Sequence, residues 1–421
     1  MENITDIYLG AIQLHALLNG VMAFIFAALM AFAATPIVRV IAYKIGAVDI
    51  PEDNRRMHKV PIPRLGGLAI AFSFVISVFL FYDISNTTLG MIIGAFIIIL
   101  IGIVDDVYRI RAAFKFAAQL VAAGIAVSQG VVVQQVNIFG EWIHFGYFAI
   151  PITILWIVGL TNAVNWIDGL DGLSCGISTI SALSLLAVTI LIGEFRIAVL
   201  IAILAGACIG FLPFNKNPAK IFIGDTGAMF LGFVLSIVSI QGVFKVHAVV
   251  TFIIPFLILG VPIFDTIFSM LRRIFTGTAP WKPDKGHLHH RLIDMGFNQK
   301  QSVRILYAVS ALLGISSIML LTHHVVSAIV IIAVSLAIST VTWIIFKDGK
   351  MKYESGLMDE PDNHGNHGNH NEDDAVPDIS AGAEPELLGG NEKIEEISVI
   401  SQLKGGENGT FKPAKAKKAK R

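Results

Sequence analysis

The segment Gly159 to Leu173 reads GLTNAVNWIDGLDGL, and here an apolar run, Phe148 to Leu160, gives way to Asn162, Asn165, Asp168 and Asp171, each three residues after the last. Residues three apart on a helix are surface neighbours, so at least the first three are expected to share a broad face. Gly169 and Gly172 then loosen the backbone, which places the last carboxylate on a turn that a ligand can approach closely. A polar row at the end of a membrane segment is costly, and holding something polar would offset that cost. The same spacing also fits a solvated loop with helix-capping Asn and Asp.

Further polar clusters punctuate the apolar chain. Asp105 and Asp106 follow the run Ile101-Gly102-Ile103-Val104. Two acids at a helix C-terminus oppose the macrodipole and repel each other; a divalent cation, a shared proton, or pairing with Arg109 and Arg111 would relieve both problems. Phe222 to Gly227 reads FIGDTG and precedes another apolar run, so Asp225 or Thr226 is expected as an N-cap, with glycines that admit a ligand to free amides. Pro283 to Arg291, PDKGHLHHR, is rich in donors for phosphate or sugar. A zinc site is the competing reading of its histidines; it is disfavoured because no Cys is near and the spacing lacks separated ligand pairs.

Together these residues define one chemical requirement. Few, hard oxygen ligands suit magnesium, which keeps waters and binds through one or two carboxylates plus substrate phosphates. Cationic donors around it suit a pyrophosphate, and the apolar setting suggests that the second reactant is a lipid.

The elements that must position these groups are membrane helices. Of the 421 residues 55% are hydrophobic and only 15% charged, where a soluble chain carries about a quarter. The apolar blocks are long enough to cross a bilayer, giving an all-α polytopic membrane protein of about eleven transmembrane helices. These are Leu17 to Tyr43 with a kink at Pro36, Gly66 to Tyr82, Thr87 to Val104, Phe114 to Val133, Phe148 to Leu160, Leu173 to Ile192, Ile197 to Phe214, Gly227 to Phe244, Ala248 to Leu271, Val303 to Leu321 and Val325 to Phe346. Val132 to Tyr147 alternates weakly and reads as a small external hairpin.

The basic residues set the orientation. Lys44, Arg55, Arg56, Lys59 and Arg64, then Arg109, Arg111 and Lys115, then Lys216 and Lys220, then Arg272, Arg273, Lys282, Lys285 and Arg291 all fall in alternate connections. By the positive-inside rule that side is cytoplasmic, with the N-terminus outside and the C-terminus inside, and all the polar clusters share it. A transporter would instead place ionisable groups near the bilayer midplane; only Asp265 and Lys245 stand apart from the surface clusters. A non-catalytic assembly scaffold would not need several convergent polar clusters.

Cys175 and Cys208 lie in apolar segments without metal-type spacing, and the start of the chain lacks the basic residues of a cleaved signal peptide. The division expected is a membrane domain, residues 1–346, and a disordered cytoplasmic tail, residues 347–421, too polar to bury a core. That tail holds an HGNHGNH repeat, His364 to His370, and ends in KPAKAKKAKR, suited to anionic headgroups or to a solvated tail.

At RRMHKVPIPRLGG (Arg55 to Gly67), GIVDDVYRIRAAFKF (Gly102 to Phe116), NAVNWIDGLDGL (Asn162 to Leu173), FIGDTGAMFLG (Phe222 to Gly232) and HLHHRL (His287 to Leu292), the chain resembles the polyprenyl-phosphate N-acetylhexosamine-1-phosphate transferases. These motifs stand in the family's order and span nearly the whole membrane part. HLHHRL resembles the branch that uses UDP-N-acetylglucosamine. The branch that transfers phospho-N-acetylmuramoyl-pentapeptide typically has three consecutive His followed by Phe-Glu, and is the alternative.

The resemblance implies a magnesium-dependent reaction of UDP-N-acetylglucosamine with undecaprenyl phosphate that releases UMP, the first membrane step of cell-wall polysaccharide synthesis. It gives Asp105 and Asp106 as the catalytic acids, with Asp225 and Asp106 as metal ligands. Asn165, Asp168 and Asp171 would meet the nucleotide, and Lys59 would lie near its pocket. His287, His289, His290 and Arg291 would meet sugar and pyrophosphate. The partners expected are those two substrates and the membrane, with no nucleic acid and with room for a homodimer.

Overall fold

The computed structural model describes residues 2–51, 60–138, 141–243, 253–277 and 286–335. All of them fall within the first of two units into which the chain divides, Met1–Asp359. The helices are α1 (Glu2–Ile45), α2 (Gly67–Phe81), α3 (Asn86–Tyr108), α4 (Ala112–Ser128), α5 (Ala149–Trp166), α6 (Leu173–Leu191), α7 (Phe195–Asn215), α8 (Gly224–Gly242), α9 (Ile253–Ile258), α10 (Gly260–Phe275), α11 (Leu288–Asp294) and α12 (Gln299–Leu321). A further apolar helix covers Val325–Ser335. Among the described residues, seven helices are long and apolar enough to cross a membrane, and three apolar helices are shorter. The protein is an all-α polytopic membrane protein.

Burial sorts the helices. α8 is apolar all round and 94% of its span is buried, as a helix enclosed by others must be. It packs against α2, α3, α5, α6 and α7, while α1 lies along α7 and α2. α1 keeps alanines inward, Ala23, Ala27 and Ala31 with no exposed surface, and turns Val21, Ile25, Leu29 and Phe32 outward, each at least half exposed. Large outward apolar side chains on a helix of this length suit a hydrocarbon solvent. α1 also runs through Pro36 without interruption.

Close approach of helix backbones sets the core around the site. At Gly102 of α3, an added Cβ would meet the Thr226 backbone of α8, so only glycine lets those helices touch there. Asp106 follows one turn later on α3.

Small backbone ribbons tie the helix ends together. β1 (Val48–Asp49) pairs antiparallel with β2 (Ile62–Pro63), with Val48 opposite Pro63 and Asp49 opposite Ile62. Beyond β2 the chain is stitched to the entry of α8: Phe222 N donates to Pro63 O at 2.8 Å, Gly66 N to Phe222 O at 2.9 Å and Gly67 N to Ile223 O at 2.8 Å. The segment containing Arg64 and the one containing Asp225 are therefore joined side by side. β3 (Gln135–Ile138) and β4 (Glu141–His144) form the expected hairpin.

The structure corrects several boundaries. α5 reaches Trp166, well past Leu160, so Asn162 and Asn165 lie on the helix; Asp168 lies beyond it, not on the shared helical face that the spacing suggested. The single helix expected over Ala248 to Leu271 is broken at Leu259 (φ −96°, ψ 18°), which separates α9 from α10. Cys175 and Cys208 are both buried and free.

Candidate active site

The site forms where helix ends from distant parts of the sequence meet. Asp106, 7% exposed, lies in the last turn of α3 and points into the start of α8. Its Oδ1 accepts from Asp225 N at 2.9 Å, and its Oδ2 accepts from Thr226 N at 3.1 Å and Thr226 Oγ1 at 2.6 Å. The first amides of a helix have no partner within it, and here a carboxylate from another helix satisfies them and meets the positive end of the dipole. Neither Asp225 nor Thr226 is the N-cap: α8 begins at Gly224, and Asp225 sits in its first turn. With Asp106 supplying the cap, the Asp225 side chain turns elsewhere.

Asp225 turns toward Asp105. Lys115 Nζ, from α4, lies 2.6 Å from Asp225 Oδ2 and 2.9 Å from Asp105 Oδ2. The other Asp105 oxygen accepts from Ile110 N at 2.8 Å, which orients it across the α3–α4 turn. Two carboxylates thus converge on one point charge. Asp105 pairs with Lys115 rather than with Arg109, whose guanidinium is 3.6 Å from Asp49.

Arg64 is the second cation. It reaches Asp49 at 3.8 Å, and Asp106, Asp225 and Asp168 lie within its electrostatic range. Burial alone would lower its pKa, but those acids raise it above the ordinary value. Asp168, on the turn between α5 and α6, has part of its surface in solvent and its carboxyl deep in protein. Burial raises its pKa well above the usual carboxylate range, and the nearby Asp225 raises it further.

The α5–α6 segment contributes unequally. Asn165 Nδ2, in the last turn of α5, is buried with no hydrogen-bond partner. Asn162 instead makes an amide pair with Gln119 of α4, its Nδ2 donating to Gln119 Oε1 at 2.6 Å, one turn beyond Lys115. Asp171 Oδ2 accepts from Asn217 Nδ2 at 2.9 Å and from Ala219 N at 3.0 Å, so it ties down the loop after α7.

α11 closes the remaining side. His289, 2% exposed, rests its imidazole directly on Gly169, where an added Cβ would collide with the ring. Burial, then the neighbouring His290, lowers its pKa to about 4, so it is neutral at pH 7. His287 stacks on His289 at 5.9 Å with the rings 8° from parallel, and His290 lies 4.3 Å from His289. The Arg291 guanidinium lies 4.8 Å from the Phe268 ring of α10. Lys59 lies outside the described residues.

Asp105, Asp106, Asp168 and Asp225 thus come together, with α11 docked on the Asp168 turn. Arg64 and Lys115 are functional candidates that sequence reasoning counted only toward charge bias. Each stands in a motif with other basic residues, Arg64 with Arg55, Arg56 and Lys59 and Lys115 with Arg109 and Arg111, so nothing in the spacing singled it out.

A metal can be tested against this donor set. Among the described residues no group of three or more His, Cys, Asp or Glu is arranged to hold an ion. The oxygens of Asp105 and Asp225 do converge on one cation, and a pair of carboxylates is what magnesium takes when substrate phosphates and water complete its shell. The residues fit that group, with Asp105 as the partner of Asp225; both Asp106 oxygens are engaged by α8.

Fold and site define an integral membrane protein with a cluster of acids and two cations at its helix ends, a charge arrangement suited to a phosphorylated substrate. Residues 88–243 match the family described as Glycosyl transferase family 4. Over 303 residues, 71% of this chain and 84% of the relative, the sequence is 43% identical to the probable undecaprenyl-phosphate N-acetylglucosaminyl 1-phosphate transferase of Bacillus subtilis (strain 168). It is 33% identical over 313 residues, 67% of this chain and 77% of the relative, to the decaprenyl-phosphate N-acetylglucosaminephosphotransferase of Mycolicibacterium smegmatis. It is 34% identical over 243 residues, 51% of this chain and 72% of the relative, to a phospho-N-acetylmuramoyl-pentapeptide-transferase of Streptococcus equi subsp. zooepidemicus. The chain belongs to glycosyl transferase family 4.

Proposed function

We propose that the protein transfers N-acetylglucosamine 1-phosphate from UDP-N-acetylglucosamine to undecaprenyl phosphate, with release of UMP, as the name of its Bacillus subtilis relative describes. The observation that carries this reading is the convergence of Asp105 and Asp225 on one cation, Lys115, within reach of Arg64. Such a cleft grips a diphosphate and neutralises the charge that shifts during its cleavage.

A phosphate oxygen of the lipid attacks the sugar-side phosphorus. The bond from that phosphorus to the bridging oxygen breaks, and the electron pair leaves on UMP. A phosphate monoester has a second pKa near 6, so much of the acceptor is a dianion at pH 7. A general base would therefore add no more than about 10²-fold, by helping only the protonated remainder.

Asp105 and Asp225 would hold magnesium, which supplies neutralising charge to the pyrophosphate oxygens when bound. Arg64 and Lys115 add positive charge from the protein. Asp106 holds the start of α8 so that Asp225 faces Asp105. Asn165 offers its free amide donor to the nucleotide, beside Asp168. Asp171 shapes the same turn through Asn217, and Lys59 lies near the nucleotide. His287, His290 and Arg291 meet sugar and diphosphate, and neutral His289 seats α11.

The site faces the cytoplasm, with the N-terminus outside, the C-terminus inside and about eleven spans, because the basic connections share that face. The product is the first lipid-linked intermediate of cell-wall polysaccharide synthesis.

Membranes containing the chain, supplied with labelled UDP-N-acetylglucosamine and undecaprenyl phosphate, should form a labelled lipid only with magnesium. Product from UDP-N-acetylmuramoyl-pentapeptide instead would assign the reaction of the Streptococcus relative. No lipid product from either donor would leave transport or scaffolding.

A further inference from the structure

Asp265 is ionisable, sits on α10 and is 3% exposed. Both of its oxygens are directed at the start of α11. Oδ1 accepts from Leu288 N at 2.7 Å, and Oδ2 lies 2.9 Å from His287 Nδ1. A carboxylate only accepts, so Nδ1 must carry the hydrogen, and Nε2 is the ring nitrogen left to meet a ligand. The His287 ring is held on its faces as well. It stacks on His289, which rests on Gly169 beside Asp168, and its centroid is 6.4 Å from Trp166 at the end of α5. One buried carboxylate therefore sets the proton position and angle of an imidazole and the docking of its helix against the nucleotide-side turn.

We infer that Asp265 is a positioning residue for the transfer: by fixing the Nδ1–H form of His287, it makes Nε2 the group presented to the sugar diphosphate. This rests on the transferase reading above. A residue that served only to dock α11 would need the bond to Leu288 N but not the tautomer. Asp265→Asn separates the two roles. Its amide oxygen still accepts from Leu288 N, while its NH₂ group donates to Nδ1 and drives the ring hydrogen to Nε2.

The expected result for the full-length Asp265→Asn protein is an unchanged melting temperature with kcat reduced about 10- to 100-fold, the usual cost of losing a carboxylate that orients a functional His. The double variant Asp265→Asn/His287→Ala should be no slower than His287→Ala alone, because both changes remove one function. Wild-type turnover in Asp265→Asn, or losses that multiply in the double variant, would overturn the inference.

Nitrogen-15 spectra of labelled histidine in the wild-type chain give a readout independent of catalysis and of how the variants fold. His287 should be protonated at Nδ1; a ring protonated only at Nε2 would refute the inference. If the wild-type chain makes no lipid-linked product, the transferase reading fails, and the spectrum still decides whether Asp265 sets the ring.

Discussion

Protonating His289 means placing a charge where 2% of the residue meets solvent, and its pKa is accordingly lowered from the ordinary value near 6.5 to about 4. Between those values the unfolded chain binds the proton that the folded chain refuses. This group's contribution to stability is therefore complete above about pH 6.5 and falls as the pH drops toward 4, with a slope of up to about 1.4 kcal/mol per pH unit. His289→Gln, a neutral replacement, should flatten the difference in melting temperature between pH 7 and pH 5; an unchanged dependence would show that another group governs it. Asp225 is the reverse case, an acid whose charge is wanted. Asp225→Asn removes one of the two carboxylates facing Lys115 Nζ and should lower kcat about 10²- to 10³-fold, the scale for deleting one preorganised electrostatic group. Asp105→Asn should lower kcat more than it weakens substrate binding. Wild-type kinetics in either variant would remove that residue from the mechanism.

At the scale of elements, the first turn of α8 is the joint on which the site depends, because Asp106 of α3 satisfies the amides of Asp225 and Thr226. That joint exists because Gly102 lets α3 reach the Thr226 backbone. Gly102→Val should force the helices apart, destabilise the protein by about 1–3 kcal/mol and lower activity with it, as overpacking does; thermal unfolding and turnover of the same preparation check both. Sequence made the helices legible, since runs such as that of α3 have no other solution in an apolar chain. It could not show which acid caps and which acid faces the cation. Asp105 and Asp106 are adjacent and identical in chemistry, and only the packing of α3 on α8 separates their roles. The break at Leu259 was equally hidden, since the apolar run continues through it; the polar stripe Asp265, Ser269 and Arg273, four residues apart, stands in the sequence, but only packing shows that it is buried. Arg64 escaped for a similar reason: its partners come from β1, α3, α8 and the α5–α6 turn, contacts that spacing does not encode.

For the whole molecule, orientation is the property that decides which substrates can reach the cleft. Native Cys175 and Cys208 are buried, so single cysteines can be added to the unmodified chain as reporters. Tyr147→Cys, at a position 99% exposed near the β3–β4 hairpin, should react with a membrane-impermeant thiol reagent on intact cells, and Arg111→Cys only after permeabilisation. The opposite pattern would invert the topology. Charge bias made this prediction readable from sequence, while the residues after 335 lie outside the described ones and leave the compositional reading of the tail as an expectation. The central claim is that one cleft moves a sugar together with its attached phosphate. It is tested most directly by giving the purified full-length protein UDP-N-acetylglucosamine labelled with carbon-14 in the sugar and phosphorus-32 in the sugar-side phosphate. With undecaprenyl phosphate and magnesium, both labels should enter the lipid in equal amounts, matched by UMP, and Asp225→Asn should slow both together by about 10²- to 10³-fold. Sugar label reaching the lipid without phosphorus would contradict the account.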